Sequence, residues 1–197
     1  MRNVTKSLAL VLAVAFTLMG CAKQPAQQMA EAEAAIQAIE DAKGRIYAGE
    51  ELGKLRGDLQ AARDEISGQS KKFFKNYGQA KDMLAEVVAD AEAVHALIPG
   101  RVEEAKYDAE AAISEAKAAW DEVKALLAKA PTGKGTKADI EAMKSDLAGL
   151  EADMVEAQNA YSAEDFIGAA NKAMAITEKA SDIAQQVKAA IAKVRGR

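Results

Sequence analysis

FIGAANKAMAITEKASDIAQQVKAAIAKV, residues 166–194, is the stretch that decides the fold. Phe166, Ala169, Ala173, Ile176, Ala180, Ile183, Val187, Ala190 and Val194 recur at alternating spacings of three and four. That interval sets them on one face of a helix and leaves Lys, Glu, Asp and Gln on the other. A half-buried strand would alternate with period two, and no window of the chain does so over a useful length. The chain is therefore expected to be all-α, with no strands.

The same spacing runs outward from this segment. Ile140, Met143, Leu147, Leu150, Met154, Ala157 and Tyr161 form a stripe before it, and Val102, Ala105, Ala109, Ala112, Ala116, Trp120, Val123 and Leu127 another. Earlier come Phe73, Tyr77, Ala80, Leu84, Val87, Ala91, Val94 and Ile98, and then Leu52, Leu55, Leu59, Ala62 and Ile66. The first helix is less regular, with Ile36 and Ile39 among alanines. Gly44 and Gly49 bracket a turn, Ser67-Gly68 marks a second break, and Pro99-Gly100 is expected to cut the third helix from the fourth. Pro131-Thr132-Gly133-Lys134-Gly135 reads as a loop ended by Thr136, an N-cap with Asp139 three residues on. Ser162 and Asp165 repeat that signal, and Tyr161 and Phe166 sit where a hydrophobic staple would close across the cap. These signals predict about six helices, near 28–46, 50–67, 71–98, 101–129, 137–161 and 163–194. Helices of about 27 residues at about 1.5 Å per residue span roughly 40 Å, so the expected architecture is an elongated antiparallel bundle or helical-hairpin repeat.

A weak internal duplication runs through the pattern. Ala32-Glu-Ala-Ala-Ile36 recurs at 109–113, Leu55 to Ile66 matches Met143 to Met154, and Tyr77, Val87, Ala91, Val94 and Ile98 fall on Phe166, Ile176, Ala180, Ile183 and Val187. The simplest division is two three-helix units, 28–98 and 101–195, forming one continuous domain. This helical repetition, with Asn76-Tyr77-Gly78-Gln79-Ala80, resembles adaptors of the tetratricopeptide kind by analogy only, because the full repeat signature is absent.

The N-terminus carries a different message. Arg2 and Lys6 supply a basic n-region, Ser7 to Met19 a short apolar h-region, and Leu18-Met19-Gly20-Cys21 closes it. The run is too short to span a bilayer as a permanent helix and has the flanks of a secretory signal. The tetrapeptide resembles the lipobox of bacterial lipoproteins. The resemblance implies a signal peptide over residues 1–20, cleavage between Gly20 and Cys21, a diacylglyceryl thioether and N-acylation on Cys21, and a lipidated tether over 21–27. Ala22 stands where aspartate retains enterobacterial lipoproteins at the inner membrane, so the resemblance implies an outer-membrane protein facing the periplasm. The competing reading is a free cysteine ending an uncleaved anchor. Two or three acyl chains hold a protein to a leaflet almost indefinitely. The rest of the chain then needs no membrane-binding surface, and the sequence shows none.

Removal of residues 1–20 takes away Arg2 and Lys6 and moves the net charge from −4 by two units to −6. Charges of both signs are interleaved with no basic block, which speaks against nucleic acid as a partner. Lys188, Lys193, Arg195 and Arg197 make a small basic end, a favourable placement near a helix C-terminus. Alanine, the best helix former and nearly the smallest side chain, carries much of the apolar content, which places the chain in the long-helix or coiled-coil class. Once Cys21 is lipidated, no thiol remains for a disulfide.

Candidate chemistry is sparse. His95 is the only histidine and has no Cys or His partners with metal-ligand spacing. Glu50-Glu51 and Glu103-Glu104 fall on expected polar faces, where nothing perturbs a carboxylate. Gly133-Lys134-Gly135-Thr136 lacks the spacing and the preceding strand of a phosphate loop. No catalytic, metal or cofactor residue is expected. Eight aromatic residues follow the signal segment. In an up-down layout Phe73, Phe74, Tyr77 and Trp120 lie toward one end, and Tyr47, Tyr107, Tyr161 and Phe166 toward the other. They read as plugs closing an alanine-rich bundle, or alternatively as the lining of a ligand pocket. The expected function is that of a lipid-anchored, non-enzymatic structural or interaction protein of the cell envelope. Its partners are the membrane through the anchor and other envelope proteins or the cell wall. The alternative is a carrier holding an apolar ligand between helices. Resemblance to the major murein lipoprotein stops at the lipobox and the alanine-rich helices. That family is a short trimeric helix ending in lysine, whereas this chain is far longer and ends Val194-Arg195-Gly196-Arg197.

Overall fold

The computed structural model describes residues 23–130 and 137–195. Among these the chain is all-α, with six helices and no strand: α1 (Ala26–Asp41), α2 (Gly44–Tyr47), α3 (Gly49–Ser70), α4 (Gly78–Ala128), α5 (Lys137–Ser162) and α6 (Phe166–Arg195). It divides into two compact units, Met1–Ile98 and Pro99–Arg197.

Within the first unit, ion pairs give the register. Arg63 Nη2 lies 2.7 Å from Glu33 Oε1, and Arg56 pairs with Glu40, so α1 and α3 run antiparallel. Lys54 reaches Asp90 at 3.3 Å and ties α3 to the first part of α4. The core is the predicted stripe: Leu52, Leu55, Leu59 and Ala62 of α3 are buried, as are Ala32, Ile36 and Ile39 of α1. Two features at its turns differ from expectation. The first helix stops at Asp41, Lys43 takes a left-handed φ of 65°, and Gly44–Tyr47 makes one separate helical turn. Gly44 is required there by close approach, since a Cβ would stand 2.2 Å from Ile39 Cγ2 and 2.5 Å from the Ile39 carbonyl oxygen. The backbone oxygen cannot swing aside as a side chain does. Gly44→Ala is therefore expected to destabilise by about 2 kcal/mol. Gly53→Ala and Gly57→Ala, inside α3 with nothing within 4 Å of the added carbon, should instead gain up to about 1 kcal/mol each. Urea midpoints of the three variants measure this contrast.

The second unit packs the last part of α4 with α5 and α6. Trp120 donates its indole N–H to the Leu147 carbonyl at 3.3 Å and Tyr161 its hydroxyl to Glu110, while Lys172–Glu156 and Lys179–Asp153 close at 2.7 and 2.9 Å, so α5 runs antiparallel to both neighbours. Ala116, Val123, Ile140, Leu150, Ile176, Ala180 and Val187 belong to one buried cluster, against which Trp120 packs. Tyr161 packs in a separate one around Phe166, Ala109 and Ala169, its ring centroid 5.2 Å from that of Phe166. The α5–α6 corner corrects the predicted cap. Asp165 N–H reaches back to the Ala160 carbonyl and Glu164 N–H to that of Tyr161, with Glu164 left-handed at φ 59°. This closes α5 as a Schellman motif. Asp165 itself then caps α6 by accepting the Gly168 N–H at 3.0 Å, while Ser162 stays in α5 and bonds the Gln158 carbonyl. Thr136 and the loop 131–135 lie outside the described residues.

The expected break at Pro99-Gly100 is absent: α4 continues through it. Proline removes one backbone donor and crowds the carbonyl four residues back. Here that carbonyl belongs to His95, and both His95 and Pro99 are exposed, so water meets the freed oxygen. The apolar stripe also keeps its phase across the dipeptide, with Val94, Ile98, Val102 and Ala105 in step. Most positions paired by the internal duplication share their burial, but Val94 and Ile113 are half-buried where Ile183 and Ile36 are buried. Leu55 and Met143, Leu59 and Leu147, Tyr77 and Phe166, Val87 and Ile176, Ala91 and Ala180, and Ile98 and Val187 are all buried.

Candidate functional site

The one residue to which the sequence assigns a modification, Cys21, and the cleavage junction Gly20–Cys21 lie outside the described residues. What is described is how the chain enters the bundle just after them. Pro25 is buried at the head of α1, and its carbonyl accepts from Met29 N–H at 3.0 Å, the first bond of the helix. Lys23 and Gln24 before it are exposed.

The remaining candidates fall where the sequence suggests or nearby. His95, Glu50, Glu103 and Glu104 are exposed, and Glu51 is half-buried. Among the described residues no group of three or more His, Cys, Asp and Glu side chains is placed to hold a metal ion. No described helix is long and apolar enough to cross a membrane. The aromatic residues are not arranged as expected. Tyr47, Tyr77 and Phe166 are buried, but Phe73, Phe74 and Tyr107 are exposed and close nothing.

The outer faces carry the recognisable polar structure. Glu40 accepts from both Arg56 and Arg45, and these hydrogen bonds, that from Arg56 first, hold its carboxyl below the usual range against a small opposing effect of burial. Its folded pKa is lowered, so its contribution to stability is present above the unfolded value of about 4.3 and is lost as pH falls through the lower folded value. Arg56→Gln is expected to raise the Glu40 pKa toward that of a free glutamate and weaken this pH dependence, with Arg45 still lowering it. A carbon-detected NMR titration of Glu40 reads it directly. Asp90, then Asp58, raises the Lys54 pKa, and Glu156 raises that of Lys172. Tyr161 donates to Glu110, which pushes its hydroxyl pKa up.

Two open grooves lie on the second unit. One, of about 580 Å³, is lined by Glu110, Ile113, Ser114, Lys117, Gln158, Tyr161 and Ser162. The other, of about 410 Å³, lies between Ser145, Asp146, Gly149, Asp153, Lys179 and Asp182 over Leu150 and Ile183. Both mix charged and apolar lining at the surface. Between the helices themselves, Ala169, Ala173 and Ala180 are fully buried. That close approach is what a small side chain permits. No family model, curated protein or solved structure matches the chain.

Proposed function

We propose that this chain is a lipid-anchored, periplasm-facing helical protein of the bacterial envelope, most simply of the outer membrane, that acts by binding other envelope components without turnover chemistry. The observation that carries the reading is Leu18-Met19-Gly20-Cys21 behind its basic and apolar regions. The described body supports it in one respect. Helices whose inner faces are sealed by alanine and aliphatic side chains present long outer faces of paired charges, such as Lys172–Glu156, Lys179–Asp153 and Lys188–Glu122 in the second unit. Exposed pairs of this kind add little stability each, so their pattern is free to set which partner docks.

The test is a photo-crosslinking residue placed on an exposed face, for example at Val155, in the protein in its own envelope. The binding reading predicts discrete adducts with envelope proteins or peptidoglycan, lost when Lys172 and Lys179 are reversed to Glu with folding intact. An organic ligand co-purifying one-to-one would replace it with the carrier reading, and a hydrolytic activity abolished by one substitution would overturn both.

A further inference from the structure

Phe73 begins a predicted core stripe, yet it is 92% exposed, and Phe74 beside it is 75% exposed. The rings touch each other edge to face, with centroids 5.0 Å apart. They sit on the turn between α3 and α4, every residue of which from Lys71 to Asn76 is exposed. The turn is a built one. Lys72 N–H donates to the Gln69 carbonyl at 3.0 Å, and Asn76 Oδ1 accepts from Gly78 N–H at 2.9 Å. Tyr77, buried immediately behind, anchors its exit.

Contrary to the interleaving of signs expected along the whole chain, the charge around this turn is one-sided. Lys71, Lys72 and Lys75 flank the rings, and no Asp or Glu occurs between Glu65 and Asp82 in a chain of net charge −4. None of these three lysines makes an ion pair among the described residues. The antiparallel register set by Arg63–Glu33 and Arg56–Glu40 places the start of α1 beside the end of α3. The turn, Lys23 and the buried Pro25 therefore share one end of the first unit. Cys21 precedes Ala26 by five residues, a reach of at most about 17 Å.

We propose that the turn at residues 71–76 is a membrane-docking element. It inserts Phe73 and Phe74 into the interface of an anionic phospholipid bilayer, while Lys71, Lys72 and Lys75 contact headgroup phosphates. Aromatic rings settle at that depth, and clustered lysines beside an anionic surface draw them there. That this is the same bilayer that holds Cys21, and that lipid is favoured over an acidic protein segment, rest on the anchor reading; the exposed rings and unpaired lysines do not. An acidic protein segment could engage the same lysines. The position of the turn at the end from which the chain leads to Cys21 favours lipid. With both in one leaflet, the first unit is fixed in orientation at the surface and does not pivot on its tether.

The test uses the mature chain, residues 21–197, carrying Cys21→Ser, Trp120→Phe and Phe73→Trp, so that the apolar signal segment is absent and the sole tryptophan reports from the turn. With phosphatidylglycerol vesicles its emission should shift to the blue and be quenched by brominated acyl chains, and with phosphatidylcholine vesicles both effects should be weak. Adding Lys71→Glu and Lys72→Glu should lower partitioning about tenfold or more. Unchanged emission on phosphatidylglycerol vesicles, or equal partitioning of the charge-reversed chain, overturns the proposal. A shift induced by polyglutamate and not by vesicles does so too, assigning the turn to an acidic protein. Fatty-acid labelling of the wild-type chain is read separately, so failure of the anchor reading is told apart from failure of this one.

Discussion

Cys21→Ala is expected to abolish incorporation of a palmitate analogue and to release the protein from the membrane pellet, or to leave it as an unprocessed precursor. The effect should be all-or-none because the proposed anchor makes this thiol the acceptor of the diacylglyceryl group and the sequence has one cysteine. The turn at Phe73 and Phe74 cannot replace the anchor. Two rings and a few lysines give reversible binding of the strength of a single acyl chain at best, whereas two or three acyl chains are effectively permanent. Equal labelling of the variant and the wild type would show that the lipid, if any, is elsewhere.

Ile176→Ala is expected to cost about 4 kcal/mol, at the upper part of the range for deleting a buried isoleucine. Ile176 is 1% exposed and belongs to the buried cluster of the second unit. Several other members of that cluster, Ala116, Ala173, Ala180 and Ala184, are alanines. Alanine has no rotamer with which to reach into a void, so little of the cavity refills. The urea midpoint should fall while the slope of the transition stays constant. A loss under about 1.5 kcal/mol would mean that the helices close up and that the alanine seams are not rigid. Ile167→Ala, on the exposed side of the same helix, should fall within about 0.5 kcal/mol of wild type.

Most of the helical framework is legible in the spacing of apolar residues because a buried stripe leaves a period that no other element imitates. The stripes from Leu52 to Ala62 and from Phe166 to Val187 are buried almost residue for residue. Where the reading failed, local rules met a compensating context. Pro99 is read as a stop because it removes a donor, but an exposed carbonyl loses little, and the unbroken phase from Ile98 to Val102 was the signal that outweighed it. Ser162 and Asp165 both satisfy cap chemistry, and only the geometry of the Schellman turn at Glu164 assigns the cap to Asp165. Spacing assigned Phe73 to the core, although Lys71, Lys72 and Lys75 around it argue for water or a charged surface. An aromatic stripe member amid like charges is the local conflict that marks a site of use. The proposed anchor rests on the sequence alone, because Cys21 lies outside the described residues.

The measurement closest to the central claim is the mass of the N-terminal peptide of the protein purified from its native envelope. The account predicts a peptide that begins at Cys21 and carries the added mass of a diacylglyceryl group with an N-acyl chain. A peptide that begins at Met1, or one that contains Cys21 as an unmodified thiol, would contradict it.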